Sequence, residues 1–281
     1  MRISDFELYK ELVGKRSGLV LTPDKIYLLD SRLTPVAKKW GYPSLEAMTL
    51  ALRGVADKNL VEEVVEAMTT NETSFFRDRK PFDMFQDYIL PRLMETRKSS
   101  RRIRIWCAAA STGQEPYTLA MILKENEKSL SGWKTEIIAT DISKEVLKTA
   151  KEGIYTQFEV QRGLPIQYLM KYFVQQGEKW KLCDEIKNMV KFDCFNLLEN
   201  PAQLGKFDII FCRNVLIYFD EQTKKMVLEN ITGLLPEDGF LMLGGAETVL
   251  GITDKFKPLT DQRGIYVLSE SENSLNTVAT A

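Results

Sequence analysis

The chain contains no histidine. That absence removes His-based general base catalysis, Ser–His and Cys–His nucleophile pairs, and nearly all zinc chemistry. Any reaction must proceed without a proton shuttle of near-neutral pKa. Cysteine is scarce as well: Cys107, Cys183, Cys194 and Cys212 form no C-x-x-C pair. Three of them lie in apolar strand-like runs, so buried free thiols are expected. Neither sign of charge dominates, since 38 Lys and Arg against 39 Asp and Glu leave a net charge of -1. Such a balance gives no general pull toward nucleic acid or an anionic membrane. No apolar run is long enough to span a bilayer. Residues 1–7 lack the apolar run and cleavage site of a signal peptide, so a cytoplasmic protein without membrane insertion is expected. With 281 residues, 44% of them hydrophobic and 27% charged, the chain has room for one large domain or two smaller ones.

What is present centres on the stretch RIRIWCAAASTGQEPY at 102–117. Its first half alternates and then runs apolar, as a buried central strand does. Small residues follow, and Gly113 permits a turn that most residues cannot make. Gln114-Glu115-Pro116 then opens a helical pattern whose N-terminus offers unpaired N–H groups. The turn is not G-x-G-x-x-G and carries no Gly-Lys-Ser/Thr, which excludes a Walker-type phosphate loop and does not meet the dinucleotide fingerprint. The ligand that fits has an adenosine and little or no phosphate.

Ahead of this stretch, residues 1–70 read as short helices. Thr22-Pro23 opens the second and Ser44 caps the third. The second helix carries a basic stripe, Lys25, Arg32, Lys38 and Lys39, which is either a solvated face or a docking face. A polar segment with two aromatics, NETSFFRD at 71–78, follows. In it Asn71 or Thr73 caps the helix beginning near Pro81, or the whole segment covers the ligand crevice.

Beyond residue 102 the pattern alternates between strand and helix. The strand EIIATD (136–141) ends in Asp141, where a carboxylate would accept ribose hydroxyls; the alternative for Asp141 is a helix N-cap. Two short strands around a Gly turn interrupt the rhythm near 172–191. The strand FDIIFC then runs into Arg213-Asn214-Val215-Leu216-Ile217-Tyr218. Its Asn and Tyr fall beyond a carboxyl strand end, where open parallel sheets bind ligands. The run FKPL (256–259) and the run from Gly264 to Leu268 form a closing hairpin, and 270–281 is expected to be a disordered tail.

NETSFFR at 71–77, WCAAASTGQEPY at 106–117, ATDI at 139–142 and FCRNVLIYF at 211–219 together resemble the chemotaxis receptor glutamate methyltransferase family, which uses S-adenosylmethionine. The resemblance implies an N-terminal all-helical domain (1–70) and a linker and cofactor-covering segment (71–90). A Rossmann-like α/β methyltransferase domain (91–269), with a small antiparallel β-subdomain inserted at about 172–191, completes it. It assigns cofactor contacts to Asn71, Thr73, Arg77, Glu115, Asp141, Asn196, Leu197, Asn214 and Val215, with S-adenosylhomocysteine as the product. Arg77 and Tyr218 become the pair facing the acceptor carboxylate. The partner it implies is the cytoplasmic helical domain of chemoreceptors in membrane-bound arrays, met by a monomeric enzyme with no nucleic acid involved. The insertion lacks a G-x-x-G-like loop, which resembles members that work without a receptor C-terminal pentapeptide. Lys25, Arg32, Lys38 and Lys39 gain weight as a face for an acidic helical acceptor.

The chemistry agrees with the missing histidine, because a glutamate is already ionised at pH 7 and methyl transfer to it requires no general base. A nucleic-acid methyltransferase is the nearest rival, disfavoured by the net charge and by the lack of a Pro-Pro-aromatic catalytic loop. A sensing or docking module without turnover is the rival from another class; the presence of Arg77 and Tyr218 counts against it.

Overall fold

The computed structural model describes residues 3–259, 262 and 264–271, which fall into two units. The first comprises residues up to Thr70 together with Tyr218–Thr223. Four helices build it: α1 (Ile3–Ser17), α2 (Ile26–Lys39), α3 (Leu45–Arg53) and α4 (Lys58–Met68). Leu29, Leu33 and Val36 of α2 and Leu60, Val64 and Met68 of α4 recur at helical spacing and share one core with Phe6, Tyr9 and Val13 of α1. Ser44 and Asp57 cap α3 and α4 with their side chains. At the start of α2 the expected cap is absent: Thr22 makes no side-chain cap bond, and Pro23–Lys25 is a 3₁₀ turn.

Two members of the basic stripe have internal partners. Arg32 donates to the carbonyls of Met68 and Thr69, both at 2.8 Å, and so closes the C-terminus of α4. Lys39 pairs with Glu63 at 2.7 Å. Lys25 and Lys38 make no ion pair among the described residues.

The second unit takes Asn71–Ile217 and the chain from Lys224. Helices α5 (Lys80–Met84) and α6 (Leu90–Thr96) are joined through a π turn, Phe85–Ile89. Then come β1 (Arg102–Ala108), α7 (Gln114–Glu125), β2 (Lys134–Asp141), α8 (Lys144–Glu152), β3 (Ile154–Thr156), α9 (Gln157–Gln161) and α10 (Ile166–Tyr172). After β4 (Phe173–Gln176), β5 (Lys179–Leu182) and α11 (Asp184–Lys187), the chain re-enters the main sheet at β6 (Val190–Cys194) and β7 (Ile209–Cys212). Helix α12 (Glu221–Thr232) and strands β8 (Phe240–Leu243), β9 (Phe256–Pro258) and β10 (Ile265–Leu268) complete it.

The main sheet runs β6-β2-β1-β7-β8-β10-β9, parallel from β6 to β8, with β10 antiparallel to both its neighbours. Strands β7 and β8 are buried throughout, which explains their unbroken apolar sequences. The chain winds outward from β1 through β2 to β6, then returns to β7 on the other side of β1. Ligands in open α/β sheets bind beyond the carboxyl ends at such a switch point. Here Ala108 pairs with both Thr140 and Cys212, so β1, β2 and β7 end at one level.

The inserted sheet has three strands, in the order β3-β5-β4. The two strands expected near 172–191 are β4 and β5. The third, Ile154–Thr156, is too short for a period-2 pattern to reveal. At the other end, Ser271 of the expected tail is buried, and its hydroxyl donates to Leu268 O at 2.7 Å. Residues 272–281 of the expected tail lie outside the described residues. All four thiols are free, but only Cys107 and Cys212 are buried; Cys183 is half-buried and Cys194, at the exposed end of β6, is open to solvent.

Candidate active site

Three loops and one strap meet at the carboxyl ends of β1, β2 and β7. The turn after β1 carries Ala109 at φ +59° and Ser111 at +51°, and the loop after β7 carries Asn214 at +58°. The strap, 71–79, contains Phe76, Asp78 and Arg79 at +50°, +64° and +47°. Left-handed backbone at a residue other than Gly costs about 1–3 kcal/mol. Six such residues in loops of one crevice therefore mark a site held in shape by its surroundings.

Gly113 ends the β1 turn at φ +94° and stands as the N-cap of α7. Glu115, in the first turn of α7, is buried. Burial pushes its carboxyl above the ordinary value, while the neighbouring Arg213 guanidinium pulls it down. Arg213 Nη1 donates to Glu115 Oε2 at 2.7 Å, and Nη2 donates to Asp78 Oδ2 at 2.8 Å and to the carbonyl of Arg77 at 3.1 Å. The Arg213 Nε is buried with no hydrogen-bond partner among the described residues. One guanidinium thus ties the helix α7 carboxylate to the strap.

Asp141 closes β2 and is buried. It is not the helix N-cap, a position filled by Ser143, whose hydroxyl accepts from Val146 N at 3.2 Å. Instead, its Oδ2 accepts from Ser111 N at 2.8 Å and its Oδ1 from Ser143 N at 2.9 Å. In a phosphate loop the amide of the β1 turn would face an anionic ligand; here it faces a carboxylate of the protein. Ser111 Oγ donates to the carbonyl of Asn71 at 2.7 Å, which joins the strap to the same corner. Phe195 N donates to Asp141 O at 3.0 Å and brings Asn196 and Leu197 next to it.

Neither Asn71 nor Thr73 caps the next helix, since the N-cap position of α5 is Arg79. The strap is pinned to α7 by Phe76 N donating to Thr118 Oγ1 at 3.2 Å. Phe75 meets Tyr155 and Phe173 of the inserted sheet edge-on, with ring centres 5.0 and 5.6 Å apart. Arg77 is half-buried and donates to the carbonyl of Glu72 at 2.6 Å. Tyr218 belongs to the first unit, where its carbonyl accepts from Val20 N at 2.9 Å.

Within the second unit, hydrogen bonds tie Asn71 to the Asp141 corner beside Asn196 and Leu197, and tie the backbone of Arg77 to Glu115 through Arg213, the residue before Asn214 and Val215. Thr73 lies in the strap between Asn71 and Arg77. Sequence reasoning gave no role to Ser111 and Arg213, although an arginine directly after the apolar run IIFC was a visible signal. Burial raises the Cys107 and Cys212 thiols well above their ordinary value, so neither is a nucleophile. Two buried carboxylates and a β1 turn whose amide is already used suit S-adenosylmethionine, which has an adenosine, an ammonium and no phosphate.

Comparison with known proteins agrees. Residues 71–265 match the CheR methyltransferase SAM-binding domain, and residues 4–69 match the CheR methyltransferase all-alpha domain. A chemotaxis protein methyltransferase of Pseudomonas aeruginosa is 40% identical over 266 residues, covering 93% of this chain and 96% of the relative. The Cher2 chemotaxis protein methyltransferase of Pseudomonas putida is 39% identical over 265 residues, with the same coverage of both. The relative from Escherichia coli is 33% identical over 271 residues, covering 94% of this chain and 91% of its own.

Proposed function

The chain belongs to the CheR methyltransferase family, and on that premise we propose that it esterifies glutamate side chains of chemoreceptors and thereby sets receptor adaptation. It is an S-adenosylmethionine-dependent methyltransferase; what is proposed is the acceptor and the part each residue plays. When bound, S-adenosylmethionine supplies a methyl group on a cationic sulfonium, and its transfer to an ionised carboxylate moves no proton. The residues therefore have to orient and desolvate, and orientation alone can supply about 7–11 kcal/mol.

Asp141, aimed by two amides, holds the ribose. Glu115, kept charged by Arg213, holds the ammonium. Asn71, Thr73, Asn196, Leu197, Asn214 and Val215 line the rest of the cofactor. Arg77 orients the acceptor carboxylate by a forked contact, and Tyr218 shares that alignment. The observation that carries this reading is the link from Glu115 through Arg213 to the backbone of Arg77, in a chain without histidine. It couples the cofactor corner to a guanidinium suited to a carboxylate that needs no base.

The enzyme works in the cytoplasm as a monomer, on the helical cytoplasmic domain of receptors gathered in membrane arrays. Lys25 and Lys38 contribute to docking, with Arg32 and Lys39 partly committed inside their own unit. Independence from a receptor pentapeptide is supported by the tight connection between β4 and β5, which is only Gly177 and Glu178. The test is transfer of radiolabelled methyl to membranes bearing chemoreceptors with and without their C-terminal tails. Base-labile label that survives tail removal is the expected result. Absence of label with cofactor binding intact would point to a module without turnover or to another acceptor.

A further inference from the structure

The loop after β7 must keep one shape for Asn214 and Val215 to meet a cofactor, yet its own sequence does little to enforce it. Asn214 lies in the left-handed region, and the four amides from Asn214 to Ile217 turn toward a common point. That point is the carboxylate of Glu247. Its Oε2 accepts from Gly244 N at 2.7 Å and Asn214 N at 2.8 Å. Its Oε1 accepts from Leu216 N at 2.8 Å, Val215 N at 2.9 Å and Ile217 N at 3.3 Å.

Glu247 is buried and follows β8, at the far side of the switch point in sequence. Buried carboxylates usually take a cationic partner. Among the described residues Glu247 makes no ion pair, and its charge is met by five backbone dipoles. Space is reserved for this: a β-carbon on Gly244 would stand 2.8 Å from Glu247 Oε2 and from Asn214 Nδ2.

We propose that Glu247 is a positioning residue for the cofactor. By accepting from the consecutive amides of 214–217 it holds Asn214 and Val215 in the conformation that binds S-adenosylmethionine, and it touches neither the cofactor nor the acceptor. The proposal rests on the reading that Asn214 and Val215 are cofactor contacts, so the experiment reads both.

Binding of S-adenosylhomocysteine to the full chain is measured by calorimetry for Glu247→Gln, Asn214→Ala and the double variant, beside steady-state kinetics. Glu247→Gln should weaken binding about tenfold or more. It should raise KM for S-adenosylmethionine while leaving KM for the acceptor unchanged, and the double variant should bind no worse than the weaker single one. Unchanged binding in Glu247→Gln beside weakened binding in Asn214→Ala overturns the proposal and leaves the Asn214 contact standing, as does strict additivity. Unchanged binding in Asn214→Ala removes the contact and the proposal with it. Should Glu247→Gln not fold, hydrogen exchange of the unsubstituted, ligand-free protein decides. Slow exchange at the 214–217 amides supports the proposal, and exchange as fast as in exposed loops overturns it.

Discussion

A β-carbon placed on Gly163 would stand 2.1 Å from the carbonyl oxygen of Phe75. The loop between α9 and α10 therefore lies directly against the strap, and no side chain fits between them. Arg162 and Glu72 form an ion pair beside this contact, and Phe76 packs on Tyr168 with ring centres 5.0 Å apart. The inserted subdomain is the wall on which the strap is hung. Gly163→Ala should push the strap outward, lowering methyl transfer roughly tenfold or more through misplacement of Arg77. It should also cost about 1–3 kcal/mol of stability as overpacking does. Turnover at the parental rate, measured beside thermal denaturation, would separate the strap from catalysis.

Arg77 is half-buried, and its guanidinium donates to the carbonyl of Glu72 in its own segment. Little of the fold depends on it. Arg77→Ala should cut kcat by roughly 100-fold while the thermal midpoint stays near the parental value. Retained kcat would take it out of the acceptor site.

Arg213 behaves in the opposite way. Removing it leaves Glu115 buried without its partner, and breaking a buried pair on one side costs about 3–5 kcal/mol. Arg213→Met should show that loss in urea denaturation at neutral pH. It should push the Glu115 carboxyl higher still, because the strongest influence opposing burial is then gone and only the weaker pull of Arg77 remains. In the parent protein the raised carboxyl protonates above the ordinary 4.5, so cofactor affinity should begin to fall there as the solution is acidified. Calorimetric titration across that range checks it, with flat affinity down to pH 4.5 as the contrary outcome.

At the amino end of β2 the balance runs the other way. Lys191, Arg104 and Arg102 hold the Glu136 carboxyl at about 2, against the opposing effect of its partial burial. A depressed folded value means stability that is fully present above the ordinary 4.5 and lost as pH falls through about 2. Glu136→Gln should lower stability by roughly 1.5–3 kcal/mol at pH 7. The difference from the parent should shrink below pH 4.5; a constant difference down to pH 2.5 would contradict the assignment.

What was legible in the sequence is what is local. A strand, a small-residue turn and a helix opening at Gln114 form one contiguous signal, and the acid ending β2 carries its meaning in its position. The family resemblance rests on such segments and named the architecture. Roles created by distant contacts were not legible. Arg213 meets Glu115 across 98 positions and Glu247 meets Val215 across 32, so neither role has a local pattern. Cys194 is exposed because β6 is the edge strand of the sheet and its end faces solvent, a position that a strand-like pattern does not reveal. Arg32 and Lys39 looked like members of a solvated stripe because helical spacing shows which face a cation is on, not the carbonyl or carboxylate it meets.

The switch point has a consequence for the birth of the molecule. Strand β1 is synthesised early, but Ile105 cannot pair with Ile209 until the whole inserted subdomain and β6 have left the ribosome. The turn that carries Glu247 emerges later again. A nascent chain therefore carries the apolar β1 with one edge open for on the order of ten seconds. Neither cofactor nor acceptor can shorten that exposure, because the crevice that receives them does not exist until it is over.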